Sequence, residues 1–181
     1  QTKEFLNKDY DKSNMVTSLF CTQDIWDEDL IISYSDIIYN SEVLKLLKKS
    51  DEKVSVVIDK NWKELWLKRM DNPLNDAETL KLNKKNFITE IGKKPKNYSE
   101  INGQYTGIIK IKKEILPKIK SFYFSLDQKK IFDGQTFKNM YMTSFLQLII
   151  DNISPVKAVL INSGWLEIDT LQDLKNLEQS K

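Results

Sequence analysis

The sequence contains no histidine and only one cysteine, Cys21. Without histidine, neither a Ser–His nor a Cys–His catalytic pair can form. A single cysteine also excludes an intrachain disulfide and a cysteine-based zinc site. Any bound metal is therefore expected to be a hard cation held by carboxylate oxygens, and magnesium is the first candidate.

An excess of one charge is also missing, because 28 basic and 26 acidic residues leave a net charge of +2. That balance argues against a nucleic-acid partner. No apolar run reaches the roughly 18 residues that span a bilayer, so no membrane segment is expected. One thiol without a disulfide, and no visible signal peptide, predict a cytoplasmic protein.

Strand-like and helix-like segments alternate along the 181 residues. Apolar, β-branched runs predict strands at 29–39, 53–59, 86–92, 103–112, 156–162 and 165–169. Helical patterns are predicted at 13–21, 41–50, 60–69, 113–124 and 137–151, with a last helix that begins at Asp169 or Thr170. This order predicts a single α/β domain over residues 1–181, with a mainly parallel sheet covered by helices.

Three aspartates, Asp36, Asp59 and Asp169, lie at or near predicted strand ends, where open α/β sheets bind ligands. Taken singly, Asp36 is more simply a turn residue and Asp169 a helix cap. Taken together, they suit magnesium, which usually binds one or two carboxylates plus substrate phosphates. The pair therefore predicts a magnesium site at one edge of the sheet.

Two lysines and two glycines are further candidates. Lys93 and Lys94, in "TEIGKKP", suit a phosphate or phosphonate group, although lysine runs are commonly solvated turns. Gly103 and Gly107, in "GQYTG", would let the backbone approach a ligand, or would mark a bulge.

Aromatic side chains offer a place for a cationic headgroup. The candidates are Trp62, Trp66, Tyr105 and Trp165. Aromatic residues at helical spacing are more often part of the core, and we expect at least half of these four to be purely structural.

Seven segments, in this order, resemble the nucleotidyltransferase family that includes the phosphocholine and 2-aminoethylphosphonate cytidylyltransferases. The segments are "NMVTSLF", "DLIISYSDIIY", "VVIDKNWKELWLKRMDNPLNDAETLKL", "ITEIGKKP", "INGQYTGIIKI", "MYMTSFLQLII" and "GWLEIDTLQDL". The resemblance implies a Rossmann-like, GT-A-like nucleotidyltransferase fold, with a mixed sheet and helices on both faces.

The resemblance also implies a reaction, the transfer of CMP from CTP to a small amino-bearing phosphonate or phosphate with release of pyrophosphate. It implies magnesium held by Asp36 and Asp169, and Asn14 near the nucleotide. The "DNPLNDAE" loop looks closest to the aminoethylphosphonate branch, and its Asp76 and Glu78 are candidates for an acceptor ammonium. Lys93 or Lys94 would neutralise the acceptor's charge.

One family feature has no counterpart before "NMVTSLF", namely the first strand and its glycine-rich nucleotide loop. The resemblance therefore implies that the domain is incomplete at its N-terminus by about 70 residues, or two βα units. The chain alone is then expected to be inactive. Two alternatives stay open: a sugar-1-phosphate nucleotidyltransferase, or a catalytically silent binding module, such as a homodimer formed through an exposed sheet edge.

Overall fold

The computed structural model describes residues 2–171 and 173–175. Its helices are α1 Met15–Phe20, α2 Ser41–Lys49, α3 Trp62–Arg69, α4 Leu116–Ser125 and α5 Met142–Asn152. Its strands are β1 Leu30–Ser33, β2 Ile37–Tyr39, β3 Val54–Asp59, β4 Leu80–Leu82, β5 Phe87–Ile91, β6 Gln104–Ile111, β7 Val156–Ile161 and β8 Trp165–Glu167.

Six strands form the main sheet in the order β1–β6–β3–β7–β5–β4. The pairing of β3 with β7 is parallel, whereas β6 pairs antiparallel with β1 and β3, and β5 pairs antiparallel with β7 and β4. The mixed sheet is therefore confirmed, and the prediction of a mainly parallel sheet is wrong. Alternation of strands and helices does not determine strand direction, and β6 enters between β1 and β3 in the opposite sense.

Strand β3 lies in the middle of the sheet, and all six of its residues are buried. Val54, Val56 and Ile58 face a core shared with α1, α4 and α5, while Val57 faces a second core shared with α2 and α3. Since successive side chains of a strand point to opposite faces, helices cover both sides of the sheet, as predicted. Each fully buried Val or Ile contributes about 1.5–3 kcal/mol to folding.

The predicted strand at 29–39 is in fact two strands. Its first part is β1 in the main sheet, and its second part, β2, pairs with β8 in a separate two-stranded ribbon. The chain turns between them at residues 34–36. The polar residues Ser35 and Asp36 lie in this turn, after β1 ends at Ser33 and before β2 begins at Ile37.

The last predicted helix begins as expected. The Thr170 hydroxyl oxygen accepts from the Asp173 amide at 3.1 Å, and the Asp173 carboxylate accepts from the Thr170 amide at 2.9 Å. Reciprocal bonds of this kind define a helix N-cap. The predicted helix beyond residue 175, and residue 172 within it, lie outside the described residues. No helix in the described part of the chain combines the length and the apolar character needed to cross a membrane.

Candidate active site

Two adjoining pockets form one cleft between the ribbon and the main sheet. The first, of about 410 Å³, is lined by residues 32–36 and is called the Asp36 pocket. The second, of about 230 Å³, contains Asp169 and is called the Asp169 pocket. Met15, Tyr34 and Met142 line both pockets and so join them into one space, the ribbon cleft.

The ribbon brings the two predicted metal ligands to this cleft. The Ile168 amide donates to the Asp36 carbonyl oxygen at 2.9 Å, so Asp169 follows one residue beyond the point where the two chain segments pair. Asp36 lines the Asp36 pocket, and Asp169 lines the adjoining Asp169 pocket. Within residues 2–171 and 173–175, no three acidic or sulfur-bearing side chains are grouped to hold a metal by themselves. Two carboxylates suit magnesium that takes its other ligands from substrate phosphates and water. The donor set therefore fits the predicted metal, which stays a prediction.

The acidic loop supplies two further carboxylates to the Asp169 pocket. Asp76 Oδ2 accepts from Trp66 Nε1 at 2.8 Å, and Glu78 Oε1 accepts from the Thr143 hydroxyl at 3.3 Å. Burial raises the pKa of Glu78, the Thr143 bond lowers it, and the negative charge of Asp76 raises it further. A carboxylate held in this way gains most from a positively charged or hydrogen-bond-donating ligand.

The four candidate aromatic residues do not form one box. Trp66 and Tyr105 line the Asp169 pocket, whereas Trp165 faces another cavity. Trp66 stacks on Trp165 with ring centroids 6.0 Å apart, and Trp62 meets Trp66 edge-on at 5.8 Å. All three tryptophans are buried in the second core. Trp62 therefore lies behind the cleft wall and not on its surface.

Gly107 supports the cleft from behind. Its φ of +79° is a conformation that glycine adopts freely, and it lies where the pairing of β6 with β3 is irregular. A Cβ at this position would come within 2.8 Å of the Tyr34 ring. Burial raises the pKa of both the Tyr34 and the Tyr105 hydroxyl. Gly107 thus allows Tyr34 to pack closely against β6.

The two predicted catalytic lysines are placed beside the acidic loop, and neither is among the residues that line the two pockets as described. Lys94 Nζ donates to the Leu74 carbonyl at 2.7 Å, which ties it to the segment before Asp76. Lys93 Nζ lies 3.7 Å from a Glu90 carboxylate oxygen. Lys94 therefore positions the loop, and a direct role for either lysine stays a prediction.

Asn14 is the N-cap of α1, one residue after the start of the predicted helix at 13–21. Its side-chain oxygen accepts from the Met15 amide at 2.8 Å, and its own amide donates to the Lys138 carbonyl at 2.9 Å. Asn14 thereby holds Met15, which lines both pockets, against the cleft. Its contact with the nucleotide stays a prediction.

Asp59, the third strand-end aspartate, belongs to a different cavity of about 420 Å³ that includes Trp165 but neither Asp36 nor Asp169. Its Oδ1 accepts from the Asn61 amide at 2.9 Å, as a turn aspartate does. Burial raises its pKa, and the Asn61 bond opposes that effect. Asp59 therefore has a local structural role apart from the metal pair.

Several cleft residues were missed by the sequence analysis, among them Gln104 and Thr143. Gln104 lies inside "GQYTG", which was singled out for its glycines. Alternation along a strand shows which residues share a face, but it does not show that a polar one is buried without a partner. Thr143 lies within a predicted helix, and nothing in the local sequence indicates its hydrogen bond to Glu78, which depends on tertiary packing.

Comparison with known proteins bears on the family and the fold. The chain is 44% identical over 177 residues to a CTP:phosphoglutamine cytidylyltransferase of Campylobacter jejuni subsp. jejuni serotype O:2, covering 94% of this chain and 70% of that protein. No protein-family model matches the chain.

A solved structure, that of the inositol-1-phosphate CTP transferase from T. maritima, superposes with a TM-score of 0.67 at 20% identity. It covers 95% of this chain, and the chain spans 62% of that structure. At this identity the likeness supports the nucleotidyltransferase fold alone.

Proposed function

This chain belongs to the cytidylyltransferase family, and on that premise we propose that the full-length protein transfers CMP from CTP to a small phosphorylated acceptor that carries a nitrogen with hydrogen-bond donors. The observation that supports this most is that Asp36 and Asp169 line adjoining pockets of one cleft, and that the Asp169 pocket also holds the carboxylates of Asp76, Glu78 and Glu167. The 44% identity to a cytidylyltransferase supports the same class of reaction.

In the proposed reaction, a phosphate oxygen of the acceptor attacks the α-phosphorus of CTP. The new oxygen–phosphorus bond forms as the bond between the α-phosphorus and the bridging oxygen breaks, and pyrophosphate leaves with the electron pair. Such chemistry depends chiefly on positioning and on stabilising charge. Bound magnesium would neutralise charge on the phosphates, and Asp36 and Asp169 would hold it.

The two pockets of the cleft would each bind one of the two substrates. The Asp36 pocket joins the Asp169 pocket at Tyr34, so two ligands bound in the two pockets would meet beside the aspartate pair. Asp76 and Glu78 lie in the Asp169 pocket, which favours this pocket for the nitrogen end of the acceptor. Carboxylates stabilise an N–H donor through charge-assisted hydrogen bonds.

Among candidate acceptors, we place phosphoglutamine first, because the relative at 44% identity is named for it. The acidic loop is equally compatible with 2-aminoethylphosphonate, whose primary ammonium has three donors. Phosphocholine ranks below both, because a quaternary ammonium donates no hydrogen bond and would depend on aromatic faces. The Asp169 pocket does contain aromatic side chains, those of Tyr34, Trp66, Tyr105 and Tyr141. The ranking therefore rests on the four carboxylates of the same pocket, which favour a nitrogen that donates hydrogen bonds.

The test is an acceptor comparison with the full-length protein. It would be incubated with CTP, magnesium and, separately, phosphoglutamine, 2-aminoethylphosphonate, phosphocholine or glucose-1-phosphate, and both pyrophosphate and the cytidylylated product would be measured. We expect the highest kcat/KM with one of the two acceptors that carry N–H groups. A higher value with glucose-1-phosphate would support the sugar alternative, and no CTP consumption with any acceptor would support a binding module.

A further inference from the structure

Gln104, at the start of β6, carries a buried polar atom with nothing to bind. Its side chain is only 7% exposed, and its Oε1 has no hydrogen-bond partner among the residues that the structure describes. A buried acceptor left unpaired destabilises the folded protein, because it has lost its hydrogen bonds to water and gained none in return. Most buried polar groups in proteins are paired, so an exception of this kind calls for an explanation.

Another glutamine in the same protein shows what a structural role looks like. Gln147 Oε1 accepts from the Ile91 amide at 2.9 Å and so satisfies the backbone of β5. The Gln104 oxygen makes no comparable bond within the described residues. Two residues further along the same strand, the Thr106 hydroxyl does bond to the sheet, since it donates to the Val57 carbonyl at 3.0 Å. Gln104 is therefore not explained by a role in holding the sheet together.

The residues around Gln104 indicate which kind of group could form a hydrogen bond to its oxygen. It lines the Asp169 pocket together with Asp76, Glu78, Glu167 and Asp169. An ionised carboxylate only accepts hydrogen bonds, and so does the glutamine oxygen. Hydroxyl groups of Tyr34, Tyr105, Tyr141 and Thr143 also line the pocket, but four carboxylates and the Gln104 oxygen make acceptors its main feature. Such a pocket favours a ligand that brings hydrogen-bond donors and positive charge.

We propose that Gln104 determines acceptor specificity, its Oε1 accepting a hydrogen bond from an N–H group of the acceptor while the carboxylates of the same pocket balance its charge. This inference rests on the proposed function. The shared chemistry is a nitrogen with at least one hydrogen, whether in a primary ammonium or in an amide. A quaternary ammonium cannot make this bond, so the Gln104 oxygen discriminates against it.

Gln104→Met tests the proposal, because methionine has a similar length and volume but does not offer the amide oxygen. Gln128→Met is the matched control, since Gln128 is exposed in the loop after α4. In the full-length protein, kcat/KM would be measured with phosphoglutamine, 2-aminoethylphosphonate and phosphocholine at saturating CTP. Tm without ligand would be measured for each variant, and calorimetry would measure binding of each acceptor alone.

We expect Gln104→Met to lower kcat/KM for the acceptors with N–H groups by about tenfold, the loss of one hydrogen bond. Phosphocholine turnover and the KM for CTP should be unchanged. Tm should stay equal or rise, because an unpaired buried oxygen has been removed. Gln128→Met should match the wild type in all of these measurements.

Two results would overturn the role of Gln104. A clear fall in Tm would show that Gln104 has a structural partner. An equal fall in kcat/KM with all three acceptors would show that Gln104 does not bind the N–H group of the acceptor. If the wild type cytidylylates no acceptor, the proposed function fails separately. Calorimetry would still decide the inference, since ligands with N–H groups must bind more weakly to Gln104→Met than to the wild type.

Discussion

The amide of Ile168 donates to the carbonyl oxygen of Asp36 at 2.9 Å, joining two residues 132 positions apart in the sequence. This bond extends the ribbon past the Ile37–Glu167 pair, so that Asp36 and Asp169 both lie at the same end of the ribbon, each lining one of two adjoining pockets. The ribbon is therefore the element that turns two ordinary strand-end aspartates into a candidate metal pair.

Asp36→Asn and Asp169→Asn are each expected to lower kcat of the full-length protein by at least about a hundredfold, since charge stabilisation by a bound metal contributes several kcal/mol. Asparagine keeps the size of the side chain, so Tm should stay close to that of the wild type. The measurement is CMP transfer as a function of magnesium concentration. Each variant should also need more magnesium to reach half of its own maximal rate.

Asp51→Asn serves as the matched control for that experiment. Asp51 is a fully exposed aspartate that precedes β3, and its carboxylate lies 3.8 Å from Lys112 Nζ. Its replacement should leave both kcat and the magnesium requirement unchanged. Wild-type rates in either cleft variant would show that Asp36 and Asp169 do not bind the metal.

Gly107→Ala is expected to destabilise the fold by two additive effects. Alanine at φ +79° costs roughly 1–2 kcal/mol, and a Cβ 2.8 Å from the Tyr34 ring adds about 1–3 kcal/mol of overpacking. Gly134→Ala isolates the first effect, because Gly134 has φ +81° but no atom within 4 Å of the added Cβ. Urea unfolding of the two variants should show the larger loss for Gly107→Ala, and equal losses would contradict a close Tyr34 contact.

Glu78 should make stability depend on pH in a direction that its raised pKa determines. The folded state holds the proton of Glu78 to a higher pH than the unfolded state does, chiefly because of burial. Stability therefore falls as pH rises above the ordinary carboxyl pKa of about 4.3, and levels off above the folded-state pKa. Glu78→Gln removes this contribution.

Urea unfolding at pH 4.5 and pH 8 would measure the contribution of Glu78 to the pH dependence of stability. Relative to the wild type, Glu78→Gln should gain more unfolding free energy at pH 8 than at pH 4.5. The exposed Glu52→Gln variant should show no such difference between the two pH values. A gain of the same size at both pH values would mean that burial does not raise the pKa of Glu78.

Local patterns predicted the elements well but not their directions. β3 was recognised from a β-branched run, and its alternating residues do fill cores on both faces of the sheet. The 29–39 segment predicts one strand because apolar residues lie both before and after Asp36. Its division between two sheets depends on β6 and β8, which lie more than 60 residues further along the chain.

The sequence by itself excluded histidine from any site and left one cysteine, and the resemblance of seven segments, in order, indicated the family that the 44% identity supports. Only the tertiary structure decided which side chains share the cleft. It placed Trp62 in the core, tied Lys94 to the loop before Asp76, and left the buried oxygen of Gln104 without a partner among the described residues, in a pocket that also holds four carboxylates. The physical reason is that burial and pairing of a polar group depend on neighbours distant in sequence, which no local pattern contains.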